Sequence, residues 1–359
     1  MITRVEADQY LPLEFVFNPN WWNKTAGISF DESFYFDPAT REQHDVNMRR
    51  VLFEQLGKYG FGEENPQPRP VAGSLHVAGG FIVPAVLGAE IRFSAAEAPQ
   101  PLPHPLSREE IAAFITPDPL ENEMMQRLIS GWNQQRQRYG YLIGDMNTGG
   151  ILNDAYHFYG GDMFADMLEA ADLPVRFMNQ IADLIISIIK IISGLSTSQS
   201  ISVNRMAARL TPSPFIHSNC SVQMISPRLY RKTMLPIEQR MATLLQPYGV
   251  HHCGIGMERY ASAYAQIPIT YCDVGWGSDT RQCLEQLPDA FLGLRLNPVR
   301  MLTASAAEIC TDLQSLLDPL DSLDRIGVCC INMDAGTPME NLETVCEMIE
   351  EYRRNRGKA

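Results

Sequence analysis

The sequence predicts a (β/α)8 TIM barrel, and three observations support that prediction. The chain has 359 residues, a length that such barrels reach as a single domain. From about Tyr139 onward, short apolar runs alternate with helical periods at intervals of roughly 20 to 35 residues, the length of a strand–helix unit with parallel strands. Polar residues follow several of these runs directly, as in a barrel, where reacting groups collect at the carboxyl ends of the strands.

Four strands are predicted in the C-terminal half, each followed by a predicted helix. Two helix starts are marked by capping residues: Ser226 precedes a first-turn proline, and Thr337 and Glu340 have the spacing of a capping box. The predicted strands are Val250–Cys253, Ile269–Asp273, Ala290–Leu294 and Gly327–Ile331.

The N-terminal third of the chain differs from the rest, because it is aromatic-rich and irregular at its start and proline-rich at its end. One helix is predicted there, from His44 to Tyr59, with Gly60 as its stop. We therefore predict that residues 1–105 form an N-terminal extension packed on a barrel of residues 106–359. The two parts together are expected to make one structural domain.

Charge and hydropathy narrow the classes of partner. The net charge of −13 disfavours nucleic acid and anionic membrane surfaces, both of which select for basic patches. The most apolar stretch, Ile181–Leu195, is shorter than the roughly 20 residues of a membrane span, so we expect a buried or half-buried helix. The N-terminus has no signal-peptide pattern, so we expect a cytoplasmic protein whose cysteines are thiols or metal ligands.

Histidine and cysteine at predicted strand ends form a candidate metal site. His251 and Cys253 stand two apart on a strand, so their side chains share one face while that of His252 points away. One cysteine of the pair Cys329 and Cys330 would be a third ligand, and a His/Cys/Cys set with one open position is typical of catalytic zinc. Spacing alone leaves open that these are buried apolar thiols. Four further cysteines are expected to be core or helix-face thiols: Cys220, Cys283, Cys310 and Cys346.

Five segments, in order along most of the chain, resemble motifs of the uroporphyrinogen-decarboxylase superfamily, whose fold is a (β/α)8 barrel. Their patterns, in the same order, are "VP.aLGaE", "Y...G", "SP..F......P", "GNldP..L" and "P.TP.ENl". The segments are Val83–Glu90, Tyr156–Gly161, Ile225–Pro236, Gly293–Leu302 and Asp334–Leu342.

Departures from those motifs argue against decarboxylase activity. Decarboxylases of this superfamily carry an aspartate where this chain has Gly79, and a histidine in the last strand where it has Ile331. They also carry an arginine-rich motif near the N-terminus, whereas residues 10–40 contain Lys24 as their only basic residue. A tetrapyrrole with many carboxylates would need those cations.

The chain instead resembles the zinc-dependent methylcobamide:coenzyme M methyltransferases of the same superfamily. Their "H.CG" motif falls on His251 and Cys253. Their third zinc ligand is a cysteine of the last strand, which the resemblance assigns to Cys330, with Cys329 as the alternative. Asp273 is either a fourth ligand or a hydrogen-bond acceptor behind a ligand, and a helix cap or a loop ion pair would explain it equally well.

The resemblance implies the transfer of a methyl group from a methyl-Co(III) corrinoid, presented by a separate corrinoid protein, to an acceptor thiol such as coenzyme M. Zinc would hold the acceptor as a thiolate. One alternative is the same donor with tetrahydrofolate or another acceptor, and another is a tetrapyrrole-binding barrel without catalytic activity. Four residues are candidates for substrate binding, each of which could equally be structural: Tyr156, Asn219, Arg295 and Asn297.

Overall fold

The centre of the molecule is a parallel eight-stranded sheet. The computed structural model describes residues 4–73, 80–196, 200–201 and 204–356. The strands are β1 (Leu13–Phe17), β2 (Asp145–Met146), β3 (Ser200–Ile201), β4 (Phe215–Ser218), β5 (Tyr248–His251), β6 (Ile269–Val274), β7 (Phe291–Arg295) and β8 (Ile326–Met333).

The strands pair in the order β1-β8-β7-β6-β5-β4-β3-β2, which is that of a barrel opened between β1 and β2. Every pair in this sheet is parallel. No ladder between β1 and β2 is seen among the described residues, and Val71 instead bridges to Ile143, just before β2. The predicted parallel sheet is confirmed, and within the described residues it is a curled, open half-barrel.

Two apolar layers show that the sheet curls. Side chains from β1, β4, β6 and β8, among them Val16, Ile216, Tyr271 and Cys329, pack into one inner cluster. Strands β1 and β4 are not neighbours, so their side chains can meet only across the inside of a curved sheet. The alternate residues of the same strands pack outward in the larger cluster under the helices, as strand periodicity requires.

Strand β1 lies inside the segment predicted as an N-terminal extension. Leu13, Phe15 and Phe17 pack in the helix-facing core, and the whole strand pairs with β8 from Val328 to Met333. The boundary at residue 105 therefore does not separate the sheet from what precedes it, because β1, one of the two strands that pair with β8, lies before residue 106. The same segment adds an antiparallel hairpin, Ile91–Ser94 with Glu97–Pro101.

Helices surround the sheet and fill the connections between its strands. The described helices are α1 (Pro19–Ala26), α2 (Glu32–Phe36), α3 (Pro38–Leu56), α4 (Ile82–Val86), α5 (Arg108–Ala113), α6 (Glu123–Tyr139), α7 (Ile151–Tyr159), α8 (Asp162–Glu169), α9 (Asp172–Leu195), α10 (Pro227–Thr233), α11 (Leu235–Leu244), α12 (Glu258–Tyr264), α13 (Thr280–Gln286), α14 (Pro298–Thr303), α15 (Ala306–Leu317) and α16 (Met339–Asn355).

Helix starts follow local capping chemistry, with one correction. Helix α3 begins six residues before the predicted His44, because the Asp37 carboxylate accepts hydrogen bonds from the first amides of the helix. The Ser226 cap of α10 forms as predicted. The predicted capping box at Thr337 does not form, since its hydroxyl accepts from the Asp334 amide and α16 begins at Met339 without a side-chain cap.

Helix α9 contains the most apolar stretch of the chain. By length and composition alone it could cross a membrane, and half of its most apolar window is buried inside the protein. Ile181, Leu184, Ile185 and Ile188 are all fully buried in the helix-facing core. The predicted buried helix is therefore present, nine residues longer at its N-terminus than the apolar stretch.

Candidate functional site

Three side chains from neighbouring strand ends bring their ligand atoms within 4.8 Å of one another: Cys220, His251 and Cys253. His251 ends β5, Cys253 follows it by two residues, and Cys220 follows the end of β4 by two. The backbone holds these segments together, because Ser218 pairs with His251 in the ladder. Parallel strands deliver their carboxyl ends to one edge, so the cluster lies where a barrel collects its chemistry.

A cavity of about 270 Å³ opens over the cluster. The ends of β1, β5, β7 and β8 form part of its wall, and the N-terminal segment supplies Tyr35 and Phe81. Arg295 lines it, and no carboxylate is among the described residues that do so. Three amides that sequence analysis did not single out also line it: Asn18, Asn147 and Asn332.

His251 is oriented by a buried carboxylate. Its Nδ1 lies 2.6 Å from Oδ2 of Asp273, which is fully buried. Asp273 also accepts hydrogen bonds from the Asn204 amide, the Tyr271 hydroxyl and, at 3.5 Å, the Cys329 thiol. Asp273 thus stands behind His251 and outside the three-residue cluster, which leaves Nε2 of the imidazole to face the cysteines.

The charge on His251 reflects opposing effects. Burial lowers the pKa of His251, but hydrogen bonds with Asp273 and Cys253 outweigh it, so the pKa is raised. The neighbouring His252 points away from the cluster, with Nδ1 3.0 Å from the Tyr264 hydroxyl. Its burial lowers the pKa of His252 to about 4. Strand alternation therefore places His251 in the cluster and His252 in the core.

Cys253 is the member of the cluster whose thiol pKa is lowered. A hydrogen bond from Cys220, then one from His251 and the charge of Arg295, hold the pKa of Cys253 far below its usual range against the effect of burial. The same hydrogen bond raises the pKa of Cys220. Nη1 of Arg295 lies 2.7 Å from the Cys253 carbonyl oxygen and 3.5 Å from its Sγ. Such a thiolate is suited to metal binding or nucleophilic attack.

The structure brings neither candidate for the predicted third ligand, Cys330 or Cys329, into the cluster. Cys330 packs in the helix-facing core with Cys346, and burial raises the pKa of Cys330. Cys329 is the member of the pair that points inward, where its thiol contacts Asp273 and not the cluster. Alternation along β8 therefore turns Cys330 toward the helices, and the third residue of the cluster, beside His251 and Cys253, is Cys220.

Cys220 was expected to be a core or helix-face thiol, and it is instead the exposed member of the cluster. The available signal was a polar run, His217 to Cys220, directly after the apolar pair Phe215 and Ile216. That pair is too short to predict a strand from sequence. Of the other three cysteines, Cys283 and Cys346 are buried on helix faces and Cys310 is half-buried.

Of the four candidate substrate-binding residues, Arg295 lines the cavity. Asn297 is the cap of α14, where its Oδ1 accepts from the Val299 amide at 2.9 Å. Tyr156 packs its ring on Phe164, with centroids 5.4 Å apart, on helices α7 and α8. The side chains of Asn297 and Tyr156 therefore have structural partners away from the cluster.

Asn219 belongs to a buried polar network beneath the cluster. Its Nδ2 donates to Oε1 of Glu238 at 2.7 Å, and Nδ1 of His217 lies 2.8 Å from the same oxygen. The Tyr230 hydroxyl donates to the other carboxylate oxygen, and the Ile151 amide donates to Nε2 of His217. Both nitrogens of His217 are thus occupied, so this network anchors β4 to helices α7, α10 and α11.

One wall residue has an unusual backbone. Asn332 has φ 66°, in the left-handed region that asparagine tolerates better than most residues. It stands at a shift in the pairing of β8 with β1, between Ile331 and Met333. Irregularities of this kind redirect side chains at barrel rims, and here Asn332 is exposed at the cavity.

The fold and the site define a curled parallel-sheet protein with a thiol–imidazole cluster at the carboxyl ends of its strands. Neither a protein-family model nor a curated protein sequence matches the chain. A solved methyltransferase from Methanosarcina mazei is similar over 96% of this chain and 94% of that one, with a TM-score of 0.66 and 14% identity.

A B12-independent methionine synthase from Shewanella sp. W3-18-1, solved in complex with selenomethionine, has the same architecture. The similarity covers 96% of this chain and 99% of the synthase, with a TM-score of 0.50 and 10% identity. At identities this low, the similarity shows only that the three chains share a fold. Function has to be argued from the site.

Proposed function

We propose that this protein is a zinc-dependent methyltransferase that methylates a thiol at the cluster of Cys220, His251 and Cys253. The observation that carries the proposal is the convergence of two sulfurs and an imidazole nitrogen within 4.8 Å, beside a cavity at the strand ends. Both structural neighbours are named for methyl-transferring enzymes, which supports this reaction class.

The donor set fits zinc. Two thiolates and a neutral imidazole are ligands that zinc prefers, and three protein ligands with a side open to a cavity are typical of catalytic sites. Bound zinc would keep an acceptor thiol as a thiolate at neutral pH. The protein's contribution is to lower the pKa of Cys253 and to orient the His251 ring through the contact between Nδ1 and Asp273, and a bound zinc would replace the proton through which Nε2 contacts Cys253.

We further propose that the methyl donor is a methyl-Co(III) corrinoid presented by a separate corrinoid protein. The cavity of about 270 Å³ accommodates a small acceptor but not a corrin ring, so such a donor has to meet the acceptor at the mouth. The segments that follow β4 to β7, which start from the same edge of the sheet as the cluster, each carry an exposed apolar side chain: Met224, Ile255, Trp276 and Val299.

A donor other than a corrinoid is the second candidate, favoured by the neighbour that is named as B12-independent. Two further alternatives are an acceptor such as tetrahydrofolate and a purely tetrapyrrole-binding role. The assay described next separates both from the proposal. Location in the cytoplasm stays a prediction.

The test combines metal analysis with turnover. Protein purified without chelator should contain about one zinc per chain, and it should methylate a small thiol from methylcobalamin. The change Cys253→Ala should remove both properties, while Cys310→Ala, on the half-buried face of α15, should leave both intact. Wild-type protein without metal, or thiol methylation that persists in Cys253→Ala, would contradict the proposal.

A further inference from the structure

Cys220 and Cys253 occupy equivalent positions on neighbouring strand ends. Ser218 pairs with His251 in the parallel ladder of β4 and β5, and each cysteine follows one of these paired residues by two positions. Neighbouring strands lie about 4.7–4.9 Å apart, and the Cα atoms of disulfide-bonded cysteines lie about 4.4–6.8 Å apart. The two cysteines are therefore placed at the spacing that a disulfide spans, and their sulfurs already lie within 4.8 Å.

Hydrogen bonds continue this alignment past the end of β4. The Asn219 amide donates to the His251 carbonyl oxygen at 2.8 Å, so the two backbones stay paired beyond the ladder. On the other side of Cys220, the Ser221 amide donates to Oδ1 of Asn153 at 2.9 Å. Cys220 is thus held from both sides beside the segment that carries its partner cysteine. A bond between the two sulfurs needs rotation of the side chains and little movement of the backbone.

The pair is open to a small oxidant. Both cysteines line the cavity of about 270 Å³, and Cys220 is exposed. Of the other six cysteines, five are buried, and Cys310 is half-buried on α15. Oxidation of a thiol requires access of the oxidant to its sulfur, so the cavity directs a small oxidant to Cys220 and Cys253.

We propose that Cys220 and Cys253 form a reversible disulfide when a hydroperoxide, such as hydrogen peroxide, oxidises the metal-free cluster. One sulfur attacks a peroxide oxygen, so that an S–O bond forms, the O–O bond breaks and water leaves. The second sulfur then attacks the first, so that the S–S bond forms, the S–O bond breaks and the oxygen leaves as a second water. In sum, two thiols are oxidised to one disulfide, and one hydrogen peroxide is reduced to two waters.

The disulfide would remove both sulfur ligands of the cluster. Zinc is bound by the thiolate form of cysteine, which a disulfide no longer provides, so the metal and the disulfide exclude each other. Oxidation therefore disables the cluster, and a dithiol reductant restores it by thiol–disulfide exchange. The exclusion of zinc rests on the proposed function, whereas the disulfide itself does not.

Peptide mapping of reduced, metal-free protein treated with hydrogen peroxide tests the disulfide. Trypsin cleaves after Arg228 and Arg240, so Cys220 and Cys253 fall on separate peptides that a disulfide would join. After free thiols are blocked with iodoacetamide, we expect the joined peptide in the wild type and its loss after treatment with dithiothreitol. Absence of the joined peptide from peroxide-treated wild type overturns the inference.

Variants decide whether the two cysteines act as a pair. In Cys220→Ser, the sulfur of Cys253 has no partner, so it should accumulate as a sulfenic acid that dimedone traps, or as a sulfinic acid. Cys310→Ser, on the half-buried face of α15, should give the joined peptide at the wild-type rate. The unfolding temperature verifies that each variant is folded. A disulfide from Cys253 to another cysteine that forms in Cys220→Ser at the wild-type rate would overturn the pairing.

Zinc-loaded protein gives a second readout, which separates this inference from the proposed function. About one zinc should be released for each disulfide formed, as measured with a chromophoric chelator, and zinc retained by fully oxidised protein would refute the mutual exclusion. If the disulfide forms in a protein that binds no zinc, this inference stands and the proposed function fails. If a protein that binds zinc and methylates a thiol forms no disulfide, the proposed function stands and this inference fails.

Discussion

Oδ2 of Asp273 lies 2.6 Å from Nδ1 of His251, and this contact determines which imidazole nitrogen can bind a metal. The carboxylate is fully buried and accepts from three further donors, which fix its position behind the ring. An imidazole that donates through Nδ1 has its lone pair on Nε2, and hydrogen-bonded carboxylates of this kind also raise ligand basicity.

Changing Asp273 to Asn should therefore weaken zinc binding without removing a ligand. We expect the dissociation constant to rise about 10- to 100-fold, as for other residues that orient a metal-binding histidine. Competition with a chromophoric chelator measures it. Asp289→Asn, in the exposed turn before β7, is the matched control. An unchanged dissociation constant in Asp273→Asn would show that the carboxylate does not orient the ligand.

Replacement of single cysteines should divide them into ligands and core thiols. Cys220→Ser should reduce zinc content as severely as Cys253→Ser, because both sulfurs belong to the cluster. Cys330→Ser should keep its zinc and lose only stability, since a hydroxyl replaces a thiol buried among apolar groups. Elemental analysis of the three purified variants is the measurement. Zinc lost from Cys330→Ser but retained in Cys220→Ser would restore the ligand set predicted from sequence.

Zinc binding by Cys329→Ser is expected to lie between that of the cluster variants and that of Cys330→Ser. Its thiol donates to Asp273 at 3.5 Å, so its effect on zinc reaches the cluster only through His251. A serine hydroxyl can keep that hydrogen bond, whereas alanine cannot. We expect Cys329→Ala to bind zinc more weakly than Cys329→Ser, as measured by the same competition assay. Equal zinc affinities of the two variants would show that the hydrogen bond from Cys329 to Asp273 does not affect the cluster.

The pH dependence of alkylation should identify Cys253 as a thiolate. Its pKa is lowered, so the reactive form persists as pH falls below the usual thiol range and is lost only near the lowered pKa. In metal-free protein, alkylation at Cys253 by iodoacetamide should change little between about pH 6 and 8, whereas a small thiol with a pKa near about 8.5 slows roughly tenfold per unit. Mass spectrometry of labelled peptides follows the reaction. A tenfold fall per unit at Cys253 would contradict the assigned charge.

Uroporphyrinogen should not be decarboxylated. The described cavity lining contains a single arginine, Arg295, and a volume of about 270 Å³ does not hold a tetrapyrrole. Gly79, at the position of the decarboxylase aspartate, lies outside the described residues. Chromatography of the reaction products checks this expectation. Coproporphyrinogen above the level of a heat-inactivated control would show that the protein is a decarboxylase.

Sequence patterns located β5 to β8 within a few residues because those runs are apolar, bounded by turns and followed by polar residues. The His251–Cys253 pair was found for the same reason, since a spacing of two on a strand fixes a shared face. Strand β1 was missed because Leu13–Phe17 stands among aromatic residues, and only its pairing with β8 distinguishes it from an irregular segment.

The order of Cys329 and Cys330 could not be settled from sequence for a physical reason. A parallel strand buried on both faces is apolar throughout, so no polar–apolar alternation marks the inner side. All of β8 from Ile326 to Ile331 is buried. Cys220 was missed for a different reason, because its strand is four residues long and half polar.

All three residues of the cluster lie between positions 220 and 253, in the segment that runs from the end of β4 through α10 and α11 to just past β5. A ligand set that included Cys330 would close only after β6, β7 and most of β8 had also been synthesised. Domains are synthesised from the N-terminus and contacts of short sequence separation form fastest. The three cluster residues are all available once residue 253 has emerged, before β6 to β8 have been synthesised, so a metal captured at that stage could hold β4 against β5 while these strands are still being made.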